Sequence, residues 1–158
     1  MGTSRVLVVY YSRTGTTKEV AEAIARELGC EVEEITDLKD RRGPLGFAVG
    51  GKDAFLKKLT QIEEVTKRPN SYDLVVIGTP LWALSVTPAV RTYLSQNKDR
   101  IRRAAFFCTK GGSPAKMAFA DLAKLCGQKP VGTLELREDE LKTGESFRKI
   151  EKFAQTIK

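Results

Sequence analysis

Ser12, Thr14, Thr16 and Thr17 set four hydroxyls around Gly15, with Arg13 and Lys18 interleaved, directly after the apolar run Val6, Leu7, Val8, Val9, Tyr10 and Tyr11. Hydroxyls, a glycine that lets the backbone turn tightly and the unpaired N–H groups of a helix start together make an oxyanion cradle. A phosphate is its natural occupant. The helix dipole adds up to ~2 kcal/mol for an anion in a well-shielded position, which supports such a site without specifying it. Arg13 and Lys18 add positive charge beside it.

Other phosphate chemistries need residues that this chain lacks. It contains neither GxxxxGK followed by Ser or Thr, the nucleoside-triphosphate loop, nor GxGxxG, the dinucleotide fingerprint. A phosphatase built on Cys-x5-Arg is excluded, because the arginine position after Cys30, Cys108 and Cys126 holds Thr36, Pro114 and Gly132. A response-regulator receiver needs acidic residues at its strand ends, where this chain has Ser12 and Thr79. The chain has no histidine, so many general-base and metal chemistries lose their commonest residue, and we assign no catalytic residue and no metal ligand. Its three cysteines form no CxxC pair, which fits reduced thiols rather than a disulfide frame.

The elements around the cradle follow from hydrophobic patterning. The continuous run at 6–11 suits a parallel strand covered on both faces. Val20, Ala21, Ile24, Ala25 and Leu28 then make a helical stripe that Gly29 ends, and Thr16 with Glu19 spells a capping box. A short mixed strand at 31–35 reads as an edge. The stretch 38–52 carries four glycines and a basic cluster and reads as irregular, with 53–65 turning helical. A third strand leads to a loop between Pro80 and Pro88 that holds Trp82, and Thr87 with Pro88 opens the next helix. A fourth strand ends at Cys108, and Ser113 with Pro114 repeats the helix-opening device ahead of Ala118, Leu122 and Leu125. A fifth strand at 131–136 precedes a helix with Phe147, Ile150, Ala154 and Ile157 on one face. Five strands each followed by a helix predict a three-layer, doubly wound α/β fold with a five-stranded parallel sheet over 1–158, as one domain.

The length of 158 residues and 41% hydrophobic content suit a globular domain with a real core. No apolar run approaches a membrane span and the segment MGTSRV lacks a leader's apolar stretch, so a cytoplasmic protein with no membrane partner is expected. Twenty-seven basic against 20 acidic residues give +7. Runs such as Lys57, Lys58, Lys67 and Arg68 are ordinarily solvated surface; as a functional feature they suit an acidic partner or an anionic substrate. No nucleic-acid recognition motif accompanies them.

The loop at 12–17 resembles the SxTGxT loop that holds the FMN phosphate in flavodoxins, in the same strand, loop and helix context. The segment LVVIGTPLWALSVTP at 74–88 resembles the family's third strand and first flavin-flanking loop. AAFFCTKGGS at 104–113 resembles the fourth strand and second flanking loop, so the likeness spans nearly the whole chain. It implies the flavodoxin-like strand order 2-1-3-4-5 of the short-chain type, with the ligand at the switch point beside strand one. The implied cofactor is FMN, held at its phosphate by Ser12, Arg13, Thr14, Gly15, Thr16 and Thr17. Its ring is flanked by Thr79, Pro80, Leu81, Trp82 and Ala83 on one side and by Thr109, Lys110, Gly111 and Gly112 on the other.

Trp82, the only tryptophan, is the expected ring wall. Flavodoxins often carry a tyrosine in the second loop, but 109–112 contains no aromatic, which leaves one flavin face open or covered by a partner, a substrate or the glycine-rich 43–51 segment with Phe47. Lys110 is expected at the ring's pyrimidine edge, where a cation stabilises the reduced form, and Cys108 reads as a small buried thiol.

Two functions follow from the resemblance. One is an electron shuttle between a redox partner protein, of acidic character given the charge, and a second partner. The other is an FMN-dependent NAD(P)H reductase acting on a quinone or other small acceptor. Short length and the lack of a recognisable nicotinamide site favour the shuttle. A flavin-free binding module is disfavoured by the intact hydroxyl loop.

Overall fold

The strand that leads into the cradle, β1 (Val6–Tyr10), lies between two parallel neighbours, and its side chains alternate between two separate cores. Leu7 and Val9 point into one apolar cluster and Val8 and Tyr10 into the other, which is why the run must be apolar at every position. This computed structural model describes residues 4–158; Met1–Thr3, the start of the stretch read for a leader, lie outside them.

After β1 come α1 (Thr16–Leu28), β2 (Glu31–Glu34), α2 (Gly43–Phe55), β3 (Leu74–Trp82), β4 (Ser85–Val86) and α3 (Pro88–Asn97). The chain continues through β5 (Ala104–Lys110), α4 (Lys116–Cys126), β6 (Thr133–Arg137) and α5 (Glu145–Ile157). The parallel sheet runs β2-β1-β3-β5-β6, and β4 is a two-residue strand paired antiparallel with β3 outside that path. Discounting β4, this is the expected order 2-1-3-4-5. Helices α3 and α4 cover one face of the sheet through Val90, Tyr93, Leu94 and Leu122. Helices α1 and α5 cover the other through Val20, Ile24, Ile150 and Phe153. Each such large apolar side chain contributes about 1.5–3 kcal/mol when fully buried. Strands β3 and β5 meet so closely that a Cβ on Gly78 would stand 2.0 Å from the Phe107 ring.

Several local expectations change. The 43–51 segment is the body of α2 rather than a loop, and of the stretch 53–65 only residues 53–55 are helical, since α2 ends at Phe55. A glycine-rich run reads as irregular, but Gly46 and Gly50 are two of the positions at which α2 packs on the rest of the molecule, with Asp53 and Ala54 also buried. A Cβ would lie 2.2 Å from the Arg41 carbonyl carbon at the first and 2.9 Å from the Trp82 ring at the second. Each glycine costs helix stability by about 1 kcal/mol against alanine, and close packing offsets that cost. The N-cap of α1 is Gly15, so Thr16 does not head a capping box. α4 begins two residues later than Ser113 and Pro114 suggest, with Ala115 as N-cap. Phe147 is exposed on α5 rather than on its buried face. Gly29 and Gly127 end α1 and α4 in left-handed conformation, as the pattern required. No helix among the described residues is long and apolar enough to cross a membrane.

Candidate functional site

The C-terminal ends of β1, β3 and β5 bring three loops to one edge of the sheet, at the point where strand order reverses. In the first, Gly15 adopts φ 101°, a backbone that side chains with a Cβ rarely take, and turns the chain into α1. Its N–H donates to Ser12 Oγ at 3.0 Å, which holds the loop closed. No side chain caps α1, so the first-turn N–H groups remain directed at the loop. Thr14 and Thr16 flank them, whereas Thr17 is buried and its Oγ1 lies 2.7 Å from Thr109 Oγ1. Thr17 therefore ties the cradle to the end of β5 instead of facing the loop.

Arg13 also does something other than line the cradle. Its Nε donates to the Arg41 carbonyl at 2.8 Å, its Nη2 donates to the Gly43 carbonyl at 3.0 Å, and its guanidinium stacks 5.4 Å from the Phe47 ring centre. The loop and the start of α2 are thus pinned together through one side chain.

The second loop departs most from expectation. Trp82 was placed in a loop, but it closes β3, and Leu81 and Trp82 pair with Val86 and Ser85 of β4 across a two-residue hairpin. Ala83 and Leu84 form its tip with φ 49° and 66°. Two consecutive positive φ values are the signature of the hairpin turn that glycine and asparagine normally fill, and for other residues each costs of order 1–2 kcal/mol. Thr79 is fully buried; its hydroxyl donates to the Pro80 carbonyl at 2.8 Å and accepts the Thr87 N–H at 3.3 Å, locking the strand to the start of α3. Pro80, Leu81 and Trp82 are half-buried, and Ala83 is exposed.

Trp82 is not a free-standing wall. Tyr11 meets it edge-on at 5.6 Å, Arg41 lies 5.8 Å from its ring centre, and Gly50 of α2 lies against its six-membered ring. Arg41, buried, pairs with Asp37 at 2.6 Å and with Asp53 at 3.0 Å, and Lys39 reaches Asp53 at 3.2 Å. Burial by itself would raise the Asp53 carboxyl, but hydrogen bonds from Arg41 and Lys39 outweigh it and hold the group below its ordinary range. Burial and then the Asp37 charge push Tyr11 up to about 12, so its hydroxyl stays neutral beside the indole. The sequence reading missed this Asp37–Arg41–Asp53 cluster because Arg41 reads as one of a run of surface basic residues and neither aspartate is marked by any motif; the only signal was three charged residues bracketing a glycine-rich run.

In the third loop, Gly111 and Gly112 are exposed, and their backbone faces a cavity of about 710 Å³. Thr16 and Glu19 of α1 and the 137–142 turn after β6 complete its walls. That turn was not foreseen as part of the site. Lys110 does not carry an isolated charge: its Nζ lies 3.4 Å from Glu135 of β6, with the lysine side chain 10% exposed. Cys108 is fully buried, and burial, followed by the Glu135 charge, pushes its thiol up to about 12, which makes it unreactive near neutrality. No cluster of three or more potential metal ligands occurs among the described residues.

A family model described as NADPH-dependent FMN reductase matches residues 4–124. The chain belongs to that family. Among solved structures, it is similar to a flavoprotein from Lactobacillus acidophilus crystallised with FMN, at 24% identity, TM-score 0.73, and coverage of 89% of this chain and 97% of that one. It is also similar to the two-electron-reduced flavodoxin of Megasphaera elsdenii, at 16% identity, TM-score 0.58, and coverage of 95% and 98%. Rubredoxin oxygen:oxidoreductase from Desulfovibrio gigas matches at 18% identity and TM-score 0.63 over 98% of this chain, but only 35% of that larger chain. At these identities the likeness establishes the flavodoxin-like fold. No curated protein matches the chain.

The residues present fit the family's cofactor, FMN. The uncapped α1 N-terminus with Thr14 and Thr16 suits its phosphate, and the open backbone of Gly111 and Gly112 suits the polar edge of its ring.

Proposed function

We propose that the protein is an FMN-dependent electron-transfer protein that exchanges electrons with a redox partner in the cytoplasm. Bound FMN would supply the one- and two-electron chemistry. The observation that carries the reading is the α1 N-terminus, which presents first-turn N–H groups with no side-chain cap behind a glycine at φ 101°. Ser12 keeps this loop in shape, while Thr14 and Thr16 complete the phosphate contacts. Trp82 offers the part of its indole that Gly50, Arg41 and Tyr11 leave uncovered, and Ala83 flanks it at the hairpin tip.

The test is reconstitution. The wild-type chain should take up FMN in preference to FAD, because the loop closes directly into α1 and offers no adenosine site. Replacing Thr14 and Thr16 together with alanine should strip much of the FMN. Unchanged affinity in that double variant would refute the phosphate assignment.

A second reading, direct reduction by NAD(P)H, is favoured by the family description and by the cavity beside Gly111 and Gly112. No aromatic closes that side, so a second ring has room to approach. Stopped-flow mixing of the FMN-loaded protein with NADH and NADPH separates the two. Fast bleaching of the flavin band supports the reductase, and its absence supports the carrier.

A further inference from the structure

We propose that the outer face of α2 and the groove beside its C-terminal end dock an acidic electron-carrier protein, which seats an apolar side chain in the groove. This rests on the electron-transfer reading above. Helix α2 is apolar on both its inner and outer sides apart from Lys52 and Asp53 in its last turn. Its inner face lies on Arg41 and Trp82, yet Phe47 and Phe55 on the outside are 65% and 68% exposed. A helix of that kind is normally covered on both sides. The groove, about 190 Å³, runs between Phe55, Leu84 at the hairpin tip and Met117 at the start of α4. Leu84 reaches it from a left-handed residue in a turn without glycine, and strain of this type collects at working surfaces.

Charge decides the occupant. Lys52, Lys57, Lys58 and Lys116 surround the apolar face, and none of them forms an ion pair among the described residues. A second copy would set these lysines against lysines on a chain that already carries +7. An acidic protein turns the same field into attraction and faster encounter. A lipid surface offers the charge but no projecting side chain for a concave groove. Trp82 stands immediately before the hairpin tip, so a partner seated there lies next to the proposed flavin wall.

The test is a titration of the ¹⁵N-labelled full chain, with and without FMN, using an acidic plant-type ferredoxin as probe. At low ionic strength we expect shifts confined to the outer face of α2, residues 83–85 and the start of α4, fading as salt is added. Phe55→Ser should weaken binding roughly tenfold, ~1.4 kcal/mol, with the melting temperature unchanged because the ring is exposed. The double charge reversal Lys57→Glu with Lys58→Glu should weaken binding at low salt and reduce the salt dependence. The proposal is overturned by absence of ferredoxin binding at low salt, by shifts elsewhere, or by indifference to Phe55→Ser. It is equally overturned if sedimentation shows this face occupied by a second copy, or if phosphatidylserine-containing vesicles bind it and ferredoxin does not. Because the readout does not need the flavin, failure to bind FMN would strike the functional reading and leave this result standing on its own.

Discussion

Gly50 of α2 rests against the indole of Trp82, with room for no Cβ: one built there would stand 2.9 Å from Cζ3. Four residues earlier, Gly46 makes the same kind of contact with the Arg41 backbone. Backbone cannot move aside as a side chain can, so Gly46→Ala should destabilise by about 1–3 kcal/mol, overriding the ~1 kcal/mol that alanine adds to a helix. Gly50→Ala should be milder in stability but should displace Trp82. Urea unfolding read by tryptophan emission checks both, and a stabilised Gly46→Ala would show that α2 does not sit where the structure puts it.

The buried Arg41 cluster predicts a second sensitivity. Arg41→Ala leaves Asp37 without its buried cation and Asp53 with Lys39 alone, which costs on the order of 3–5 kcal/mol for a broken buried pair. The Asp53 carboxyl is depressed in the fold, so its contribution is present above the ordinary carboxylate value of 3.8 and is lost as pH falls toward the lower native value. Glu140, depressed chiefly by its hydrogen bond from Lys149, behaves in the same sense. Stability should therefore be flat near neutrality and fall in acid. Asp53→Asn should flatten part of that fall; an identical acid limb in wild type and variant would remove Asp53 from the account.

At the hairpin tip, the positive φ of Ala83 and Leu84 costs stability that glycine would recover. After glycine's own loss of chain entropy, Ala83→Gly should stabilise by about 0.5–1 kcal/mol. A lower melting temperature in this variant would mean that the turn is not left-handed.

Lys110 leads to a prediction about potential. Its partner Glu135 offsets the positive charge that would otherwise favour reduced flavin. Glu135→Gln should raise the midpoint potential of the FMN-loaded protein, by on the order of 50 mV for one electron, ~1.2 kcal/mol, at low ionic strength. Lys110→Gln should lower it, and both shifts should shrink with salt. Redox titration of the three proteins decides; equal potentials would place the pair out of reach of the ring.

What the chain determined by itself was carried by local pattern, though not every such pattern held: Gly15 rather than Thr16 caps α1, and Ala115 rather than Ser113 caps α4. The unbroken apolar run at 6–11 could only be a strand covered on both faces, Gly29 and Gly127 marked helix ends, and Gly15 marked the tight turn into α1, because strand burial and left-handed backbone depend on neighbours in sequence. Tertiary structure decided what depended on distant partners. Glycines at 46 and 50 look like breakers until Arg41 and Trp82 are brought against them. Arg13 stands in the loop as an unassigned cation until the Arg41 and Gly43 carbonyls are brought within reach of its side chain, and Lys110 looks like a free cation until β6 brings Glu135 alongside. Each of these side chains has several chemically acceptable partners, and only the packing of helices and strands far apart in the chain selects which one lies within reach.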